Sequence, residues 1–223
     1  LNRILNGSPS KILGTIQSNG KVFLVNPTGI IFGRGSRMNV GSLFASSLDI
    51  SNQDFMAGSY TFSGTQGVTP GAIINQGHIE AAIGGSVTLV GGAVGNEGTI
   101  VANLGHVNLG AGTEVVVDFA GDGLIHFAVS GEVAEQVAGA QSAIDNSGQI
   151  TAEGGQITLS ARTARGVFDN IVNNSGSIRA GRIDRSGGKI RLVGMGGSVR
   201  NSGSLDASGT SGGEISVSSD INV

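Results

Sequence analysis

Apolar residues recur along this chain in short runs that alternate with polar ones, which is the period-two signature of half-buried strands rather than of amphipathic helices. The runs are ordered into a repeat. Five heptapeptides share the pattern Asn-x-Gly-x-(Ile/Leu)-x-Ala, beginning at Asn75, Asn96, Asn146, Asn174 and Asn201, at spacings of 21, 50, 28 and 27 residues. A short apolar run precedes each Asn, as in Ala72-Ile73-Ile74, and a third run follows, as in Gly188-Lys189-Ile190-Arg191-Leu192. Each unit thus predicts three short strands.

Aligned columns predict which side chains face inward. One reads Ile79, Ile100, Ile150, Ile178, Leu205, and two residues later Ala81, Ala102, Ala152, Ala180, Ala207. Between them stand Glu80, Val101, Thr151, Arg179 and Asp206. Constant apolar columns belong to a core and the mixed column to solvent. In the next strand Val87, Val107, Ile157, Ile190 and Ile215 point inward, and Thr88, Asn108, Thr158, Arg191 and Ser216 point to water. Three strands per unit, one face apolar, predict an all-β fold: a right-handed parallel β-helix in which each strand pairs with its equivalent one coil on. Hairpins of an antiparallel sandwich would not put the same residue at the same site in five successive units. The Asn column is expected to stack at a corner and serve turn backbone groups. The glycines two residues later (Gly77, Gly98, Gly148, Gly176, Gly203) are expected to take positive φ.

Residues 110–143 form an insertion in the 50-residue gap. Glu114 to Phe119 and Leu124 to Val129 flank Ala120-Gly121-Asp122-Gly123 and predict an extra-helical hairpin standing off the solenoid, followed by a short helix or loop over residues 132–143. The first 70 residues carry Val22-Phe23-Leu24-Val25, Gly29-Ile30-Ile31-Phe32 and Tyr60-Thr61-Phe62, expected to supply earlier coils and accessory strands. No linker divides the chain, so residues 1–223 are read as one domain.

Composition narrows the function. Glycine fills 40 positions, charged residues 13% and aromatic residues 4%, with a net charge of -3. Disorder and collagen are both excluded by this balance. The absence of Cys removes thiol nucleophiles and disulfides. No apolar run reaches the ~18 residues of a membrane span, and the start at Leu1 lacks a signal-peptide pattern. Charge is segregated: residues 1–37 hold five bases and no acid, 38–161 eleven acids and no base, and 162–200 eight bases against Asp169 and Asp184. The last band, through Arg179, Arg182, Arg185, Lys189 and Arg191, offers contacts for an anionic glycan, or a solvated face beside an acidic one. It lacks stacking aromatics, so nucleic acid is not a partner.

The stretch from Asn19 to Gly33, with Val22-Phe23-Leu24-Val25-Asn26-Pro27-Thr28-Gly29-Ile30-Ile31-Phe32-Gly33 at its centre, resembles the haemagglutination-activity, or two-partner secretion, domain of filamentous-haemagglutinin-like exoproteins. Asn39 to Ile50, Phe55 to Phe62 and Asp118 to Leu124 extend the resemblance over nearly the whole chain. Thr28 stands where that family usually has Asn, and the family's signal peptide and amino-terminal cap have no counterpart here, so the chain reads as truncated at its start. The resemblance implies an amino-terminal secretion domain of a large adhesin that crosses the periplasm largely unfolded. An outer-membrane β-barrel transporter recognises it, and it seeds β-helix folding at the cell surface, with roles in virulence or biofilm. Asn26, Pro27, Thr28, Gly29 and Ile30 are then the transporter-recognition segment, or the turn that recognition needs. Asn-Pro is a turn signal in its own right.

Two other readings are a glycan-binding adhesin module acting on host or matrix glycans, and a polysaccharide-acting β-helix enzyme. The outward columns bring no two carboxylates together on adjacent coils, and His78, His106 and His126 lack metal-ligand spacing. Asp118 and Asp122 lack the alternating oxygens of a calcium loop and read as turn residues. No catalytic role, cofactor or metal is expected.

Overall fold

The alternating runs form strands because each finds an equivalent neighbour one coil away. In the computed structural model, which describes residues 1–4, 7–118, 127–181, 188–209 and 212–223, the strands stack as a parallel β-helix. One face is a seven-stranded parallel sheet running from Ser10–Ile12 and Ile30–Phe32 through Ala72–Asn75, Ala93–Asn96, Ile144–Asn146 and Asn170–Asn174 to Ser198–Asn201. The second face stacks His78–Ala81, Thr99–Val101, Gln149–Thr151, Ser177–Arg179 and Ser204–Asp206. The third stacks Ser86–Gly91, His106–Ala111, Gln156–Arg162, Lys189–Met195 and Glu214–Ser219.

The last two faces merge at the amino-terminal end. The strand Arg37–Ser46 pairs first with His78–Ala81 and then with Ser86–Gly91, and Thr15–Val25 runs beside it with a register shift between Ser18 and Lys21. The later coils break at this corner with a turn instead. There Gly84, Leu104, Gly154 and Gly212 hold positive φ. Leu104 is the one non-glycine residue with positive φ among the described residues, at 54°.

Register is strict. Ile79, Ile100, Ile150, Ile178 and Leu205 face one another across successive coils. The first four of these are fully buried, and so are Val87, Val107, Ile157 and Ile190. Each such Ile or Val contributes about 2–3 kcal/mol by leaving water, and a slip of one residue would turn the whole set outward.

A second apolar cluster lies outside the coils. Phe23, Val25, Phe44 and Val90 point away from the axis and pack with Leu48, Ile50, Phe62, Val115 and Val117. The Phe44 and Phe62 rings stack at 4.1 Å between centroids, and Phe23 meets Phe55 edge-on at 5.1 Å. A three-stranded antiparallel sheet of Thr61–Ser63, Glu114–Val117 and Phe127–Val129 covers this cluster. The insertion therefore lies against the third face instead of standing off it. That corrects the solvent assignment of Thr88 and Asn108, which are both buried, with Asn108 Nδ2 donating to Thr88 Oγ1 at 3.3 Å. The tip of the expected hairpin, residues 119–126, lies outside the described residues. Residues 132–143 contain no helix. A short helix does occur at Asn52–Ala57, where Ser51 caps the Asp54 N–H and Gly58 closes the end at φ 74°.

Candidate functional site

The segment from Asn26 to Ile30 is a turn locked from inside. Asn26 is 1% exposed. Its Nδ2 donates to Ser8 O at 2.9 Å and to Ser10 Oγ at 2.8 Å. Its Oδ1 accepts from Thr28 N at 3.0 Å and Thr28 Oγ1 at 2.7 Å. The Gly29 N–H returns to Asn26 O at 2.8 Å, which closes the turn. Pro27 O accepts from Gly71 N at 2.9 Å and so ties the turn to the coil above. Gly29 sits at φ 112°, and a Cβ there would strike Ala72 O. Ile30 is fully buried in the main core. Thr28 is exposed and Pro27 half-buried, so they form the outer surface of the motif.

Every donor and acceptor of the Asn26 side chain is thus satisfied within the fold. Thr28 makes two of these bonds, one through its backbone N–H and one through its hydroxyl.

The second feature is the asparagine corner. Asn75 Nδ2 donates to Asn96 Oδ1 at 2.8 Å, Asn96 to Asn146 at 2.7 Å, Asn146 to Asn174 at 2.6 Å and Asn174 to Asn201 at 2.6 Å. The first four asparagines are fully buried. All four amides point the same way, from the amino-terminal coil toward the carboxy-terminal one. The row starts at Asn75, whose Oδ1 takes the Gly77 N–H at 3.1 Å.

The glycines beside this corner do not take positive φ, contrary to the sequence-based expectation. Their reason is close approach. A Cβ on Gly98, Gly148, Gly176 or Gly203 would overlap the carbonyl oxygen of the equivalent glycine one coil before, and one on Gly77 would overlap Ser36. The invariant feature is backbone stacked on backbone, which leaves no room for a methyl group.

A family model described as the TPS secretion domain matches residues 1–215. The chain belongs to the TPS secretion-domain family. Its curated relatives include two heme/hemopexin-binding proteins of Haemophilus influenzae, one 34% identical over 198 residues and the other 28% identical over 212. Each alignment covers 86% of this chain but 21% and 22% of the relative, so the chain spans about a fifth of their length. Among solved structures, the HMW1 secretion domain of H. influenzae is 30% identical, with a TM-score of 0.69 over 97% of this chain and 61% of that one. Domains of this family belong to exoproteins exported through the outer membrane to the cell surface or the medium, and they are not enzymes.

On this secretion domain the charged columns form ion pairs between coils. Arg179 Nε lies 2.6 Å from Glu153 and 3.7 Å from Asp206, bridging three coils of the second face. Lys189 meets Glu214 at 3.6 Å, Arg162 meets Glu132 at 3.3 Å and Arg165 meets Asp220 at 3.6 Å. Arg191 is exposed on the third face and Arg200 on the first. Arg182 and Arg185 lie outside the described residues. The basic stretch of sequence is therefore wound around three faces, and its described members do not converge on one surface.

Among the described residues no cluster of three metal-binding side chains occurs. His78 lies 3.4 Å from Glu80 on the outside of its own strand. His106 is half-buried on the third face, and that burial lowers its pKa. Asp206 is held below its usual value mainly by hydrogen bonding to Ser208, with Arg179 adding to the effect.

Proposed function

We propose that this domain is the export-directing end of a larger adhesin, recognised by an outer-membrane β-barrel transporter, and that its folded form seeds further coils at the cell surface. The family match over residues 1–215 carries the reading. Within it, the segment 26–30 serves export through the fold. The support is the inward commitment of the Asn26 side chain, which leaves Thr28 and part of Pro27 to meet a partner.

The experiment is export of a tagged chain from cells with and without a transporter of the two-partner type. Deleting the transporter abolishes export if the reading is right, and undiminished export ends it. Asn26→Ala separates the two roles of the turn. Loss of export together with a stability loss of about 3 kcal/mol, the scale of several buried hydrogen bonds, fits a turn that acts through folding. Loss of export at unchanged stability assigns Asn26 to direct contact. Glycan capture receives no comparable support, because the described cations pair with carboxylates on neighbouring coils or stand on separate faces.

A further inference from the structure

The carboxy-terminal rung presents an exposed asparagine amide and exposed apolar positions that specify what can stack on it. Asn201 accepts from Asn174 at 2.6 Å and spends one N–H on Gly203 O at 3.3 Å within its own coil. An amide nitrogen carries two N–H groups. In an earlier coil the corresponding amide makes both bonds, Asn96 donating to Gly98 O at 3.5 Å and to Asn146 Oδ1 at 2.7 Å.

The apolar columns are open at the same place. Ile215 is 46% exposed although Ile157 and Ile190, its partners in the column, are fully buried. The strands Ser198–Asn201, Ser204–Asp206 and Glu214–Ser219 are the terminal strands of their faces.

The next coil has already begun. Val94 is paired with Ile144 and donates its N–H to Ala143 O, one residue before its partner. Val199 donates in the same way to Asn222 O at 2.9 Å. This sets Val223 opposite Val199, an offset of 24 residues, in the inward column of Ile30, Ile73, Val94, Ile144 and Val172. Val223 is 76% exposed in that apolar register. The same offset places the partner of Asn201 at position 225 and the partner of Gly203 at position 227.

We infer that this rung selects an incoming coil by its corner: an acceptor side chain, asparagine or aspartate, at position 225, and glycine at position 227. The acceptor answers the outward-pointing amide of Asn201. The glycine answers the close approach seen at Gly203, where a Cβ would overlap Gly176 O. The amide row makes the selection one-directional, since at its other end Asn75 is closed by Gly77 and faces Phe32. A second copy of this chain stacked head to tail is a poor occupant, because its first coil presents Ile12 in this column. The inference deepens the seeding half of the proposed function, but it concerns the folded domain alone and does not depend on the transporter.

The test extends the purified chain after Val223 with a copy of residues 200–219, which places asparagine and glycine in the required register. Amide hydrogen exchange then reads protection of the added strands. With asparagine or aspartate at the added corner, the added amides are protected. With leucine there, or alanine for the added glycine, protection falls by about tenfold or more, the scale of one lost buried hydrogen bond.

Asn201→Asp supplies the cross-check. It still accepts from Asn174 but gives up the bond to Gly203 O, so protection is compared among extended chains that all carry the substitution. It can still accept from an added asparagine, but it faces an added aspartate with oxygen against oxygen, and that pair alone loses protection. Equal protection with leucine and asparagine at the corner would overturn the inference, as would an unprotected asparagine unit. Either result is independent of whether a transporter exports the chain.

Discussion

Asn96 Nδ2 donates to Asn146 Oδ1 at 2.7 Å although 50 residues of chain, including the whole insertion, separate the two. The bond is fully buried at both ends. It joins the coil before the insertion to the coil after it, in the same register as the uninterrupted pairs. Replacing Asn146 with Ala removes this bond and the one to Asn174, and leaves a buried donor on Asn96 and a buried acceptor on Asn174. The expected cost is about 3 kcal/mol in urea unfolding. Asn201→Ala, at the exposed end of the row, strands one donor, on Asn174, and should cost about half as much.

Gly148→Ala tests close approach against conformational freedom. A methyl group there meets Gly98 O, and both coils would have to separate. A loss of about 3 kcal/mol or more is expected. Gly139 is the control, with φ 83° and open space around its missing Cβ. Gly139→Ala should cost about 1 kcal/mol, the strain of a left-handed backbone. If the two variants lose stability equally, the stacking account of the corner glycine fails.

Leu104 occupies a corner position where Gly84 and Gly154 stand in the coils on either side. It pays the left-handed penalty with a side chain that remains 43% exposed. Leu104→Gly is expected to raise the unfolding free energy by about 0.5–1 kcal/mol, the relieved strain less the extra entropy of glycine in the unfolded chain. A drop in thermal midpoint would show that Leu104 contributes more by packing than it loses in backbone strain.

Burial lowers the pKa of His106 from its ordinary 6.5, so the folded domain favours the neutral imidazole. The unfolded chain takes up that proton at the ordinary pKa. Stability linked to this group is therefore fully present above 6.5 and declines as the pH falls through it. His106→Gln should flatten that part of the profile, read from urea midpoints at about pH 7.5 and about pH 5.5. An unchanged slope would exclude His106 as the source.

The pairing of Arg179 with Glu153 and Asp206 runs along an exposed column. Arg179→Ala should change stability by less than about 1 kcal/mol, because solvent screens such pairs. The difference from wild type should shrink further in about 1 M salt.

The repeat was legible because a solenoid writes its neighbours into the chain at regular intervals. Ile79 and Ile100 occupy the same column of the sequence and the same column of the core. The accessory structure was less legible. Phe44 and Phe62 stack through a chain reversal that includes the short helix, and Val115 reaches Phe62 from the far side of two coils. A signal did exist: Val22-Phe23-Leu24-Val25 is apolar at every position, the mark of a strand buried on both faces. The Ser51-x-x-Asp54 pair with Gly58 likewise announced the helix. At the turn, Asn26-Pro27 was readable as a bend, but the partners Ser8 and Ser10 that engage Asn26 lie 18 and 16 residues earlier.

By itself the chain determined its coil period, its inward columns and the residue type at the asparagine corner, because those depend on alternation along a strand and on repetition from one unit to the next. Only the tertiary structure decided why the corner glycines are glycine, which outward residues are covered, and in which direction the amide row points. These depend on distances between backbones that meet only when successive coils are stacked. A single strand carries no record of the carbonyl that will sit above it.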